Sequence, residues 1–134
     1  MEQIAQLAYR FGFAADLRPA QWTALRFFGR AEQRACTVSA FADHNLTSRS
    51  SASQTVNALV KRGLLVRRPI PSDRRTHRLE LTDQAKTLLA NDPLKELELS
   101  LDEMSDSNRY QLAERLEELL KLMLKRHAKR KDVG

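Results

Sequence analysis

At 134 residues with 42% hydrophobic content, the chain has the length of one domain and enough apolar material for a modest core. Twenty-three basic against seventeen acidic residues leave a formal charge of +6, which points to nucleic acid or an acidic surface as partner. No stretch approaches the roughly 20 apolar residues of a membrane span. The single cysteine, Cys36, excludes an intramolecular disulfide and a cysteine-built zinc site.

The N-terminus, Met1-Glu2-Gln3-Ile4, has neither a basic start nor a long apolar core, so no secretory signal is visible and a cytoplasmic protein is expected. Ile4, Leu7, Ala8 and Phe11 fall at i, i+3, i+4 and i+7, predicting a first amphipathic helix over residues 2–13. Gly12 and Asp16-Leu17-Arg18-Pro19 then mark a turn, with Pro19 in the first turn of a second helix over 19–29 that buries Trp22, Leu25, Phe27 and Phe28. After a loop at 31–35 comes Cys36, either a redox sensor activated by Arg34 or a small half-buried residue at a helix start. Thr37 caps a short third helix through His44, with Val38, Phe41 and Ala42 inward, and Asn45-Leu46-Thr47 makes a tight connection onward.

The fourth helix is predicted over 48–62, with Ser48 as N-cap and Gly63 as the left-handed stop. At about 100° per residue, Ala52, Val56 and Leu59 share one side, and Ser50, Gln54, Asn57 and Lys61 line the other. A solvated face ordinarily carries Glu and Lys; this stripe gives up helix propensity for donors and acceptors that pair with base edges. Residues 64–68 and 77–81 read as two strands joined by a loop over 69–76, whose prolines forbid helix. Between Lys61 and Arg78 stand seven basic residues and one acid, Asp73, a net of +6 that equals the charge of the whole chain. Concentrated in this way, the charge is the footprint expected for a polyanion partner.

Thr82 is the expected cap of a helix to about Asn91, which Asp92-Pro93 breaks; residues 94–104 read as helix again. From 107 to about 127, Leu112, Leu116, Leu119, Leu120 and Met123 form an apolar stripe that Leu122 and Leu124 widen. Such a helix needs partners on more than one side, so the first and last helices are the surplus surfaces that a homodimer would bury. The basic tail from Lys125 to Lys131 suits the C-terminal dipole of the last helix and reads as a frayed, solvated end.

Helix, short turn, helix and basic hairpin make a winged helix-turn-helix: a mainly α fold with a small β-hairpin wing. Gln21-Trp22-x-Ala24-Leu25-Arg26, Ser53-x-x-Val56-x-x-Leu59-x-x-x-Gly63-Leu64-Leu65, Asp73-Arg74-Arg75 and Leu79-x-Leu81-Thr82 resemble, in order and spacing, the motifs of the MarR family of bacterial transcription factors. The resemblance implies one domain over 1–134. Residues 1–18 and 92–134 would be dimerisation helices, carrying Ile4, Leu7, Phe11, Leu112, Leu116, Leu119, Leu120 and Met123, and 19–91 the DNA-binding lobe. It further implies a homodimer on a pseudo-palindromic double-stranded operator, with helix 48–62 in the major groove and wing 64–81 in the minor groove. Contacts are then expected from Ser48, Arg49, Ser50, Ser53, Gln54, Asn57, Lys61, Arg74 and Arg75. Asp73 would hold the wing-tip arginine, Arg75 by motif, with Arg74 competing. A small aromatic ligand is also implied, with Tyr9, Phe13, Trp22 and Arg26 as candidate contacts. The chain departs from the family in having Asn45-Leu46 where Leu-Gly is common, Ala85 near a usual glycine, and Cys36 away from the peroxide-sensing position.

The sequence therefore supports a dimeric transcriptional regulator, a repressor in the first instance. An interaction module for an acidic protein and a nonspecific architectural DNA-binding protein are the rivals. No enzyme is expected: the sequence has no phosphate-cradling glycine loop and no nucleophile paired with a base. No cofactor is expected, and His44, His77 and His127 lack metal-ligand spacing.

Overall fold

The computed structural model describes residues 1–11 and 14–131; Gly12 and the candidate ligand contact Phe13 lie outside the described residues, as does the side chain of Phe11. The elements run α1 (Glu2–Phe11), α2 (Pro19–Arg30), α3 (Val38–His44), α4 (Arg49–Lys61), β1 (Leu65–Ile70), β2 (Asp73–Leu81), α5 (Asp83–Ala90), α6 (Lys95–Asp102) and α7 (Asp106–Lys131). Single 3-10 turns stand at Ala14–Asp16 and Gln33–Ala35. The chain divides into two compact units, residues 1–93 and 94–134, parted next to Asp92-Pro93. No helix among the described residues is long and apolar enough to cross a membrane.

In the first unit the starts of α3, α4 and α5 are set by short side chains that satisfy orphan amides. Thr37 Oγ1 accepts from the Ala40 N–H at 3.2 Å, Ser48 Oγ from Ser51 at 3.1 Å, and Thr82 Oγ1 from Ala85 at 3.3 Å. The Thr82 hydroxyl also donates to the Gly63 carbonyl at 2.8 Å, joining the end of α4 to the start of α5. Gly63 has φ +70°, the left-handed value that ends α4 without a Cβ clash.

Trp22, Leu25 and Phe28 from α2, Phe41 from α3, Val56 and Leu59 from α4, Leu64 and Leu65 from the start of the wing, and Leu79 from β2 are all buried. Gly29 lets α2 lie close to its neighbours, since a Cβ there would come within 3.1 Å of Leu89 and 3.3 Å of Leu81. Phe27 is only half-buried; its ring stands 5.2 Å from Phe28 and 5.1 Å from His44, at the rim of the cluster. The Leu79 N–H donates to the Cys36 carbonyl at 2.8 Å, anchoring the wing to the segment before α3.

The second unit consists of α6 and α7. Arg109 spans their junction, pairing with Asp102 at 2.9 Å and with Asp106. At 26 residues α7 is about 39 Å long.

Two expectations need correction. The loop expected over 69–76 is strand for most of its length: β1 runs to Ile70 and β2 begins at Asp73, leaving Pro71 and Ser72 as the connection. Proline excludes helix but not an edge strand, and both strands of a two-stranded sheet are edges. The basic tail is helical to Lys131, because Lys and Arg are good helix formers and sit favourably at a helix C-terminus.

A candidate nucleic-acid interface

Helix α4 buries Ala52, Val56 and Leu59 completely and holds Ser50, Gln54, Asn57 and Lys61 exposed on the opposite side. The turn that delivers it bends at Leu46, whose φ of +51° is a conformation that side chains rarely adopt. Ser48 serves as the cap, and Ser53 is half-buried toward the lobe. At the helix start, the Arg49 guanidinium donates to the Ser39 hydroxyl on α3. The Arg49 charge adds to the positive end of the helix dipole, so its placement there favours an anion arriving at that end.

The wing pairs Leu65 with Leu81 through Pro69 with His77 in regular antiparallel register, then shifts so that Ile70 faces Asp73. Arg74, Arg75 and Thr76 therefore lie in a bulge on β2 that has no counterpart on β1. Asp73 shapes it. One carboxylate oxygen accepts from the Arg75 backbone N–H at 2.9 Å and the other from the Thr76 hydroxyl at 2.8 Å. These bonds, Thr76 first and Arg75 second, hold the Asp73 carboxyl below the usual carboxylate range.

The seven cations between Lys61 and Arg78 are unequally available. Arg68 and Arg78, opposite each other in the ladder, share Glu80 at 3.3 and 3.2 Å. Arg68 first, and Arg78 after it, hold that carboxyl below its ordinary value. Arg62 donates to the Asp16 carbonyl at 2.7 Å, and Arg67 to Asn57. Lys61, Arg74 and Arg75 are the cations of this stretch whose side chains have no partner among the described residues. Between α3, α4 and the wing lies a concavity of about 460 Å³ lined by Ser39, Arg49, Ser53, Arg67, Arg75 and His77, together with Thr37, Val38, Thr76 and Leu79 and no acid. Arg75 is in this lining and Arg74 is not. Ser39, Arg67 and His77 escaped the sequence reading; only the strand register, which the predicted loop obscured, would have placed the latter two.

The remaining candidates are placed elsewhere. Trp22 is buried and donates from Nε1 to the Ala14 carbonyl at 2.9 Å. Arg26 makes a two-pronged pair with Asp92, both contacts at 2.7 Å, with its guanidinium 5.5 Å from the Trp22 ring centre. Both side chains have structural partners within the first unit. Arg26 also borders a groove of about 360 Å³ lined by Thr23, Phe27, Arg30, Ala31 and His44. Tyr9 is exposed on α1. Ile4 and Leu7 on α1, and Leu116, Leu119, Leu120 and Met123 on α7, are exposed large hydrophobics, while Leu112 is half-buried.

Cys36 stands just before α3, more deeply buried than the half-buried helix start expected for a structural role. It is buried, its Sγ lies 3.4 Å from the Glu32 carbonyl, and burial pushes its thiol up against the lowering pull of Arg78. Arg34 pairs with Glu32 instead. Among the described residues no three His, Cys, Asp or Glu side chains are grouped to hold a metal.

Residues 15–76 match the model of the MarR family. Solved structures share the fold. The chain overlays with a TM-score of 0.73 on MepR of S. aureus in its DNA-binding conformation, at 19% identity over 91% of each chain. A MarR transcriptional regulator of Methanosarcina mazei Go1 overlays at 0.70, with 20% identity over 92% of this chain and 95% of that one. Sco3205 of Streptomyces coelicolor, a MarR family transcriptional regulator in complex with DNA, overlays at 0.68, with 19% identity over 90% and 82%. At these identities the likeness is one of fold. No protein of curated function matches the chain.

Proposed function

We propose that this chain, whose winged-helix lobe is that of the MarR family of transcriptional regulators, acts as a homodimeric repressor that reads a pseudo-palindromic operator. One observation carries the reading: the exposed side of α4 is a run of Ser50, Gln54, Asn57 and Lys61, free of acids and bordered by the concavity that holds Arg49, Arg67 and Arg75. Amide and hydroxyl side chains pair with base edges, and the basic lining around them attracts the nucleic-acid backbone. An acidic protein partner would draw on the arginines and leave the amide stripe without a purpose. A nonspecific architectural protein would need the charge without the stripe.

The dimer is supported by the apolar side chains left open on α1 and α7. A stable interface buries on the order of 800 Å² on each partner, and a single half-site offers few contacts. In this reading α4 lies in the major groove, the wing reaches the adjacent minor groove, and an occupied operator blocks transcription.

Selection of bound duplexes from a random pool tests the proposal. The expected product is a two-fold symmetric sequence with half-sites about 10 base pairs apart, centre to centre, and a specific affinity at least about 10³ above bulk DNA. A pool that stays random after selection would overturn it.

A further inference from the structure

The reading face of α4 is tied to the wing. Arg67 donates from Nη2 to Oδ1 of Asn57, and both side chains are exposed. The ladder explains the encounter: Arg67 pairs with Leu79, so the two share one face of the hairpin, and Leu79 is buried in the lobe. Its neighbour Arg68 points the other way and is held by Glu80. No acid lines the concavity in which Arg67 stands, so no carboxylate draws it from Asn57.

This contact fixes the chemistry of the amide. Arginine has five N–H donors and no acceptor, so the amide atom it engages must be the oxygen. The bond is charge-assisted, roughly twice as strong as a neutral one. Asparagine reads adenine by donating to N7 while accepting from the N6 amino group; guanine instead offers two acceptors, N7 and O6. Here the guanidinium takes one of the two lone pairs of Oδ1, and an adenine amino group would have to share the same atom, whereas guanine needs only the Nδ2 hydrogens.

We propose that Arg67 is a positioning residue for specificity: by engaging Oδ1 with a charged donor it weakens Asn57 as an acceptor and leaves its Nδ2 hydrogens to select guanine over adenine at the base pair beneath it. The inference rests on the DNA-reading role proposed above. It differs from a charge contribution, which would raise affinity for all sequences alike.

The test is selection from a random duplex pool with the full chain and with Asn57→Ala, Arg67→Met, Arg67→Ala and Arg67→Lys, each checked for a cooperative thermal melt. Asn57→Ala locates the position by erasing its base preference. There the unaltered protein should favour guanine over adenine by about tenfold, as one good pairing allows. Arg67→Met keeps the apolar stem without the donors and should move the preference about tenfold toward adenine, with Arg67→Ala doing the same should the first variant melt early. Arg67→Lys, which retains a charged donor, should keep guanine. The inference falls, with the DNA-reading role intact, if a consensus emerges but Asn57→Ala changes no position, if the unaltered protein prefers adenine there, or if both donor-free variants leave the preference unchanged. A pool that yields no consensus with the unaltered protein removes the DNA-reading role and this inference together.

Discussion

Replacing Asp73 by alanine separates two accounts of the wing by sign. It is the one acid between Lys61 and Arg78, and it holds the bulge through the Arg75 N–H at 2.9 Å and the Thr76 hydroxyl at 2.8 Å. If the wing acts as bulk charge, losing the acid adds one unit of positive charge. At a log–log salt slope of about −0.9 per charge this tightens binding about fivefold per wing at roughly 0.15 M salt. If Asp73 instead sets the path of the Arg75 backbone, its loss frees that side chain from the groove. Losing one charge-assisted contact weakens binding on the order of thirtyfold, so the net change is about sixfold weaker per wing. In a dimer the factors multiply. The assay is fluorescence anisotropy on cognate DNA at fixed salt with Asp73→Ala, Arg75→Ala and the double variant, repeated with Arg74→Ala. Positioning predicts that Arg75→Ala adds little once Asp73 is gone. Tighter cognate binding by Asp73→Ala would refute it. The pH dependence follows from the same bonds. A carboxyl held below its ordinary value keeps its effect above that ordinary value and loses it only as pH falls through the lowered one, so this group should leave affinity constant between about pH 5 and 8.

Gln54→Ala should weaken cognate binding by about 1–3 kcal/mol and leave binding to bulk DNA nearly unchanged, as competition titrations would show; equal losses on both would mean that the helix does not read bases. Placing Asp at both Leu116 and Leu120, exposed on α7, should dissociate the dimer in sedimentation and abolish specific binding, and an intact dimer would sink this account of assembly. Leu46→Gly should raise stability by about 1 kcal/mol in urea unfolding, because φ +51° is strained for leucine and the exposed side chain gives up little burial; a loss would show that the leucine contributes something the turn conformation does not explain. The Cys36 thiol should react with a disulfide reagent at neutral pH only as fast as the protein opens, and rapid labelling of the folded protein would contradict its burial.

What the sequence made legible was local and periodic. Ser48, Thr37 and Thr82 could be assigned as caps because a cap is decided within four residues, and each hydroxyl does accept the expected amide. Gly63 could be read as a left-handed stop for the same reason. The two sides of α4 followed from 3.6-residue geometry alone. The hairpin tip did not: prolines predict a loop, yet edge strands tolerate them, and in a two-stranded sheet that rule decides.

Charge was the least legible quantity, and it bears most on function. A net of +6 over residues 61–78 treats seven cations alike, yet Glu80, two residues beyond that stretch, engages Arg68 and Arg78, and a backbone carbonyl far back in the chain engages Arg62. Pairings across a ladder or across a lobe leave no periodic trace, so counting could not divide the structural arginines from those facing outward. The division changes what the patch is. Three cations are engaged by Glu80 or a backbone carbonyl and one by Asn57, while Lys61, Arg74 and Arg75 have no side-chain partner among the described residues. In the proposed reading, fewer arginines are free to follow phosphates than the count suggests, which shifts the balance of binding toward base contacts. It follows that the dependence of cognate affinity on salt should be shallower than seven cations per subunit would give.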